Sequence, residues 1–215
     1  MQDSIKDNNE WFLARIAPDR GGYLGELRAF AEKEGVPIFG EEVENFLRFF
    51  LPVLCPSRIL ELGTAIGYSA SVMAAVLPEA TITTVEIDPD RAVSARTHFQ
   101  NQDLESRIRL VVEDAEAFMR NDEGIYDFIF VDAAKGQYEK YLKRALALLA
   151  PGGVIAMDNV LFHGMLASKE LYVRRKVTIV KRLKRMLYDI LREEGIVADI
   201  LPIDDGLLLI RREYE

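Results

Sequence analysis

Arg58-Ile59-Leu60-Glu61-Leu62 runs directly into Gly63-Thr64-Ala65-Ile66-Gly67-Tyr68-Ser69, and this stretch decides the fold. An apolar run of strand length meets a glycine turn, and helix-compatible residues follow at 69–76. Glycine at a strand end lets the backbone turn tightly and approach a ligand. In open α/β sheets, ligands sit outside the carboxyl ends of the strands. The spacing is not G-x-G-x-x-G. Three residues separate Gly63 from Gly67, and an acid, Glu61, stands two residues before the first glycine.

Working outward, the pattern repeats. Apolar runs at 81–87, 108–112, 126–131 and 153–157 read as further strands. Helix-length segments at 91–100, 115–119 and 138–149 lie between them, and Pro151-Gly152-Gly153 reads as a turn. Alternation at this spacing predicts a parallel sheet with helices on both faces. Before it, residues 41–54 place Val43, Phe46, Leu47, Phe50 and Val53 at helical intervals, ended by Pro56 and Ser57. Residues 1–54 are therefore expected to form a helical cap on an α/β core at 57–215, all within one domain. Near the end, a helical stretch over about 170–194 precedes apolar runs at 196–203 and 207–211. Asp204-Asp205-Gly206 between those runs signals an antiparallel hairpin that closes the sheet.

The 215 residues suit one domain with a substantial core. No run approaches the roughly 20 apolar residues of a membrane span, and the polar first nine residues do not read as a signal peptide. Cys55 is the only cysteine, which excludes an internal disulfide and a thiolate metal cluster. The expected compartment is the cytoplasm. A net charge of -8 argues against broad nucleic-acid affinity unless a local basic patch overrides it.

The acid at the loop entrance speaks to the ligand. Pyrophosphate favours bare backbone N–H groups. Glu61 instead suits a cationic ligand, such as the amino group or sulfonium of S-adenosylmethionine. Glu86 ends the second strand, where an acid can accept both hydroxyls of a ribose. Asp114 ends the third, where its carboxylate or the Ala115 amide can meet an adenine. Each acid alone is more often a helix N-cap than a ligand, and Asp88 and Asp114 both precede helices that they can cap. Three acids at three successive strand ends after a glycine loop are harder to explain as caps.

The fourth strand ends in Asp132-Ala133-Ala134-Lys135 and the fifth in Asp158-Asn159. If those strands are neighbours, two carboxylates and an amide oxygen meet at the same face. Such hard oxygen ligands suit Mg²⁺ or Mn²⁺. Without a cation, two adjacent carboxylates are costly; as caps or solvated loop acids they need none. Lys135 is a candidate general base, since neighbouring cations favour a neutral amine, or else a solvated surface lysine. Tyr138 belongs to the same cleft or to the core.

Residues 169–194 carry nine basic and four acidic side chains, a net of +5. Val173, Val177, Val180, Leu183, Leu187 and Ile190 form an apolar stripe, and the basic residues fall largely off it. Arg174, Arg175, Lys176 and Arg182 are candidates for phosphate contact with an RNA, or with a CoA thioester. A solvated helix face has the same appearance. Phe162 and His163 are candidate walls of a substrate pocket, although His163 suits a structural role as well. Trp11 and Phe12 are candidates to cover the site or a dimer partner.

At these residues the sequence resembles the cation-dependent O-methyltransferases, the group that includes catechol and caffeoyl-CoA methyltransferases. The motifs are GVPI at 35–38, ELGTAIGYSA at 61–70, VEID at 85–88, EDA at 113–115, VDAAKGQY at 131–138, MDNVLFHG at 157–164 and ILPIDDGLLLIRR at 200–212. They cover nearly the whole chain. The resemblance implies a Rossmann-like, seven-stranded, mostly parallel sheet with a C-terminal antiparallel hairpin, and commonly a homodimer. It implies donor contacts from Val36, Glu61, Gly63, Thr64, Gly67, Tyr68, Ser69, Glu86, Asp114, Ala115 and Asp132. It implies a metal on Asp132, Asp158 and Asn159, with Lys135 as base. VDAAKGQY together with DNVLFHG is similar to a bacterial branch that methylates wobble 5-hydroxyuridine in the tRNA anticodon loop. Catechol and 5-hydroxyuracil both present two vicinal oxygens, which one metal can chelate.

Overall fold

The computed structural model describes residues 8, 11–12, 15–16 and 21–213. Seven strands form one sheet: β1 Arg58–Leu62, β2 Thr81–Glu86, β3 Ile108–Val112, β4 Tyr126–Val131, β5 Leu149–Met157, β6 Ile196–Leu201 and β7 Leu207–Arg212. Their order across the sheet is β3-β2-β1-β4-β5-β7-β6. The first five are parallel, and β7 is antiparallel to both β5 and β6. The doubly wound sheet closed by a hairpin is as the sequence predicts. The order reverses between β1 and β4, so the crevice expected at a topological switch lies beyond Leu62 and Val131.

Seven helices flank the sheet among the described residues: α1 Gly22–Glu34, α2 Glu41–Leu54, α3 Tyr68–Val76, α4 Pro89–Asn101, α5 Ala115–Asn121, α6 Tyr138–Leu148 and α7 Val177–Ile190. α5 to α7 pack on one face, through residues such as Phe118, Leu142 and Leu183. α1 to α4 pack on the other, through Leu27, Leu47, Met73 and Phe99. The central strands are buried on both sides, which explains their unbroken apolar runs.

Three expectations need correction. Val53 does not join the buried face of α2; it is 72% exposed, and Leu51 is buried in its place. β5 begins at Leu149 rather than at Gly153. Leu149 pairs with Tyr126 and Val154 with Phe128, so the Pro151-Gly152-Gly153 segment is an irregularity inside a strand. The long helix over 170–194 is also shorter. Two 3₁₀ turns, Lys169–Leu171 and Arg174–Lys176, precede α7. Three consecutive cations at a helix N-terminus oppose the helix dipole, which accounts for the late start. Once begun, α7 is held by burying Val180, Leu183, Met186, Leu187 and Ile190. Each contributes roughly 1.5–3 kcal/mol, which outweighs the few tenths of a kcal/mol lost per exposed like-charge pair.

No helix among the described residues is long and apolar enough to cross a membrane. Trp11 and Phe12 are exposed, with Arg15 5.1 Å over the Trp11 ring. Of the first nine residues, read above as no signal peptide, all but residue 8 lie outside the described ones.

Candidate active site

A cavity of about 490 Å³ opens at the carboxyl ends of β1, β2, β3 and β4. Gly63, Thr64, Ala65, Tyr68, Ser69, Glu86, Asp114, Ala115, Asp132, Lys135 and Asn159 all line it. All of these except Ala65 are candidates from the sequence, whereas the candidates Glu61, Gly67 and Asp158 lie behind the lining. Val36 is not part of it; its N–H bonds the Ala31 carbonyl, completing the turn that ends α1. The neighbouring Pro37, Ile38 and Phe39 line the cavity in its place. Arg91, Gln137 and Tyr141 also line it and were missed, because nothing in their spacing marks them as more than helix residues.

The glycine turn is built for close approach. Gly63 has φ +97°, and a Cβ there would stand 2.0 Å from the Asp132 carbonyl oxygen. Gly67 has φ +85°, and a Cβ would strike the Phe99 ring at 2.6 Å. Gly67 thus serves the packing behind the loop rather than its cavity face.

Glu61 is fully buried beneath the loop. Its Oε2 accepts from the Thr84 hydroxyl, while Oε1, with the Ser69 hydroxyl nearby, has no partner of hydrogen-bond geometry among the described residues. Burial pushes its pKa up to about 7, opposed by the Ser69 and Thr84 hydroxyls and reinforced by the charges of Asp132 and Glu86. Glu86 is better served. Its Oε2 accepts from the Ala65 N–H at 2.8 Å and its Oε1 from the Asp88 N–H at 2.9 Å. Asp114 caps α5 through the Ala117 N–H, and Asp88 caps α4. Asp114 therefore caps a helix and also lines the cavity.

Val131 pairs with Met157 across β4 and β5, which brings Asp132 and Asp158 side by side. Asp158 is fully buried. Its Oδ1 accepts from the Asn159 N–H at 2.7 Å, and Oδ2 has no hydrogen-bond partner among the described residues. Burial and then the Asp132 charge push its pKa up to about 7. Burial also raises Asp132, and Lys135 opposes the rise. Lys135 Nζ donates to Asn159 Oδ1 at 2.9 Å. Tyr138 is buried and donates to the Asp158 backbone carbonyl at 2.8 Å, so it braces the loop from below. Among the described residues no three His, Cys, Asp or Glu side chains converge as a metal site. The set here is two carboxylates and an amide.

An ion-pair network supports the wall from the helical cap. Glu44 accepts from the Tyr68 hydroxyl and from Arg28, each at 2.6 Å, and from Arg48 at 2.8 Å. Burial opposes its ionisation, but these donors hold its pKa down to about 2. Outside the cavity, Arg174, Arg175 and Arg182 are exposed, and Lys176 Nζ sits 4.9 Å over the Phe162 ring. Phe162 and His163, the candidate pocket walls, do not line this cavity: Phe162 is buried and stacks on His163, whose side chain is largely exposed.

The model of a family described as O-methyltransferase matches residues 15–213. A caffeoyl-CoA O-methyltransferase of Stellaria longipes is 30% identical, over 93% of this chain and 87% of its own. The catechol O-methyltransferase domain-containing protein 1 of Mus musculus is 34% identical, over 85% of this chain and 71% of its own. A Staphylococcus aureus structure provisionally assigned as a caffeoyl-CoA O-methyltransferase superposes with a TM-score of 0.88 at 28% identity, covering 95% of this chain and 99% of that one. With the match running across nearly all of the sheet and its flanking helices, the chain belongs to the O-methyltransferase family, whose enzymes take their methyl group from S-adenosylmethionine.

Proposed function

We propose that this chain methylates the 5-hydroxyl of wobble 5-hydroxyuridine in a tRNA anticodon loop, giving 5-methoxyuridine, with Mg²⁺ or Mn²⁺ held by Asp132, Asp158 and Asn159. The observation that carries this reading is the unmet oxygen at the seam of β4 and β5. Asp158 Oδ2 is buried without a partner, beside a second carboxylate that is also disfavoured as an anion. A buried carboxylate pair wants a cation. Its oxygen-only donor set fits a hard one. Bound there, the ion would supply positive charge that acidifies the acceptor hydroxyl and orients two vicinal oxygens.

The chain's own groups do the rest. Glu61 presents a desolvated carboxylate oxygen to the cationic end of the methyl donor, and Glu86 keeps a lone pair on each oxygen for the ribose hydroxyls. Tyr68, Ser69, Asp114 and Ala115 complete the donor's seat. Lys135, acting as the neutral amine after releasing its own proton to solvent, leaves Asn159 and takes the acceptor's hydroxyl proton. The acceptor oxygen then forms a bond to the methyl carbon as the carbon–sulfur bond breaks. S-adenosylhomocysteine and the methyl ether are the products. Holding both reactants in line removes much of the entropic cost of a bimolecular step.

Arg174, Arg175 and Arg182, with Lys176 behind them, support a polyanionic acceptor. A second reading rests on the relatives named above, one a caffeoyl-CoA enzyme and one a catechol-type protein. On that reading the acceptor is a small or CoA-linked phenol, and the same cations serve the CoA phosphates. Methyl transfer from labelled donor with Mg²⁺, run on 5-hydroxyuridine-containing tRNA beside catechol and caffeoyl-CoA, decides between them. Label in tRNA alone supports the first reading, and label in the phenols alone replaces it with the second. The exposed Phe49 and Val53 on α2 support a homodimer, with the exposed Trp11 and Phe12 as a second candidate contact. Sedimentation at micromolar concentration tests this, and a monomer there rules it out.

A further inference from the structure

We propose that Asp205 is a positioning residue that fixes His163 as a wall of the acceptor site, an inference that rests on the methyltransfer reading above. The starting point is the Asp204-Asp205-Gly206 segment, which the sequence marks only as a hairpin turn. In the fold it joins three parts of the molecule. Asp204 is tied to the helical cap: its Oδ2 accepts from the Val43 N–H at 2.8 Å, and its own N–H donates to Glu42 Oε2 at 2.6 Å. Gly206 has φ +86°, and a Cβ there would strike Leu161 Cγ at 2.4 Å. The turn is thus anchored from two sides and serves as a rigid platform.

The loop that follows Asp158 and Asn159 is clamped onto this platform. Val160 N–H donates to the Gly206 carbonyl at 3.0 Å and Leu161 N–H to the Asp205 carbonyl at 2.9 Å. His163 N–H donates to Asp205 Oδ1 at 2.6 Å. Asp205 Oδ2 has no hydrogen-bond partner and lies 3.5 Å from His163 Nδ1. The loop needs this support. Asn159, Phe162 and His163 all have left-handed backbone angles, with φ of +55°, +52° and +54°. Such conformations cost of order 1–3 kcal/mol each for non-glycine residues and persist only where the surroundings enforce them.

What the clamp presents is a single exposed ring, His163, backed by a buried one and set outside the lining of the cavity. Lys176 covers one ring, Phe162, and Phe162 stacks on His163 with centroids 5.9 Å apart. Phe162 is buried, whereas the His163 imidazole is left exposed four residues after Asn159. Both planar acceptors considered above can stack on such a ring, and its free nitrogen can hydrogen-bond an acceptor oxygen. Asp205 holds the backbone of that residue through its N–H, and its second oxygen faces the Nδ1 edge at 3.5 Å. It does so without touching the acceptor itself.

The test uses the full chain with Mg²⁺ and donor. Only two histidines are present, so the His163 ring signals are separable from those of His98 by NMR. Titration with whichever acceptor the wild type methylates, tRNA or catechol, should move the His163 signals. Asp205→Ala and His163→Ala should each raise acceptor KM roughly tenfold, the loss expected for one oriented hydrogen-bonding group, with donor Kd unchanged. The double variant should be no worse than either single one. Asp205→Asn, which keeps an oxygen for the His163 amide, should recover most of the loss. Additive penalties, a wild-type KM in His163→Ala, or unmoved His163 signals would overturn the proposal. So would a donor Kd that weakens along with acceptor KM in Asp205→Ala, since that marks a general structural role. If the wild type methylates neither acceptor, the acceptor reading fails by itself. The His163 amide resonance then decides the clamp: a downfield signal lost in Asp205→Ala upholds it, and an unchanged signal overturns it.

Discussion

The acids at the rim of the cavity and those at its seam lie at matching strand ends yet are treated oppositely by the fold. Glu86 and Asp114, at the ends of β2 and β3, are served by backbone N–H groups from Ala65, Asp88 and Ala117. Glu61 and Asp158, beside the switch between β1, β4 and β5, are fully buried and each keeps one oxygen without a partner. The rim is complete as a protein structure. On the function proposed above, positive charge from the donor and a metal ion would complete the seam. Unsatisfied buried oxygens cost about 1–3 kcal/mol each, more when charged, so a fold retains them only where something repays the cost.

The sharpest way to break this contrast is at the seam. Asp158→Ala should lower turnover on the order of a thousandfold or more, because it removes both an acceptor-side ligand and the brace on Asn159. Donor affinity by calorimetry should stay within roughly twofold. A matching loss of donor affinity would move Asp158 to the donor side of the cavity. Lys135→Ala should cost about 10²–10³ in kcat, the usual worth of a positioned proton acceptor. Its melting temperature should fall only slightly, since its side chain donates one hydrogen bond, to Asn159, and offsets part of the Asp132 charge. Unchanged kcat would make Lys135 only a partner of Asn159.

Glu61 sharpens the contrast through pH. Its folded pKa, about 7, lies above its ordinary value of 4.5. A carboxylate raised in this way favours the folded state when protonated. Its contribution is fully present below about pH 4.5 and is lost as pH rises through about 7. Donor-free protein should therefore lose stability across that window. A cationic donor needs the ionised carboxylate, so donor affinity should fall as pH drops below 7, by up to about tenfold per unit. Thermal melts and donor titrations at pH 5, 6, 7 and 8 check both signs. Glu61→Gln should flatten the donor curve and remove only part of the stability slope, since Asp158, raised to about 7 as well, titrates in the same window; a donor slope that persists in that variant assigns the titration elsewhere.

The same contrast explains what could be read from sequence. Strand ends are legible because buried parallel strands are unbroken apolar runs, and the acids that follow them stand out. Hence Glu61, Glu86, Asp114, Asp132 and Asp158 could all be placed from the order of residues alone. The rest depends on contacts between distant segments. Arg91, Gln137 and Tyr141 reach the cavity from helices whose periodicity says nothing about it. Nothing in Glu44 itself foretells that it would be buried by Tyr68, Arg28 and Arg48. The residues 204–206 signal a turn, but not the clamp that the turn makes. The late start of α7 was legible in principle, since Arg174, Arg175 and Lys176 in a row oppose the positive end of a helix dipole.

The smallest expected effect lies outside the cavity and tests whether the seam serves a polyanion. Arg174→Glu with Arg175→Glu changes only exposed side chains on a 3₁₀ turn, so folding should be untouched. If that turn contacts phosphates, tRNA affinity at low salt should fall several-fold to about tenfold, and the salt slope should decrease by about one to two. Filter binding between 50 and 200 mM salt, chosen because counterion release spans that range, measures both. The slope is the more telling number, because a loss of affinity alone also follows from a disturbed acceptor loop, whereas a smaller slope counts phosphates released. An unchanged slope would leave the turn to solvent and shift the weight of the argument to the phenolic acceptor.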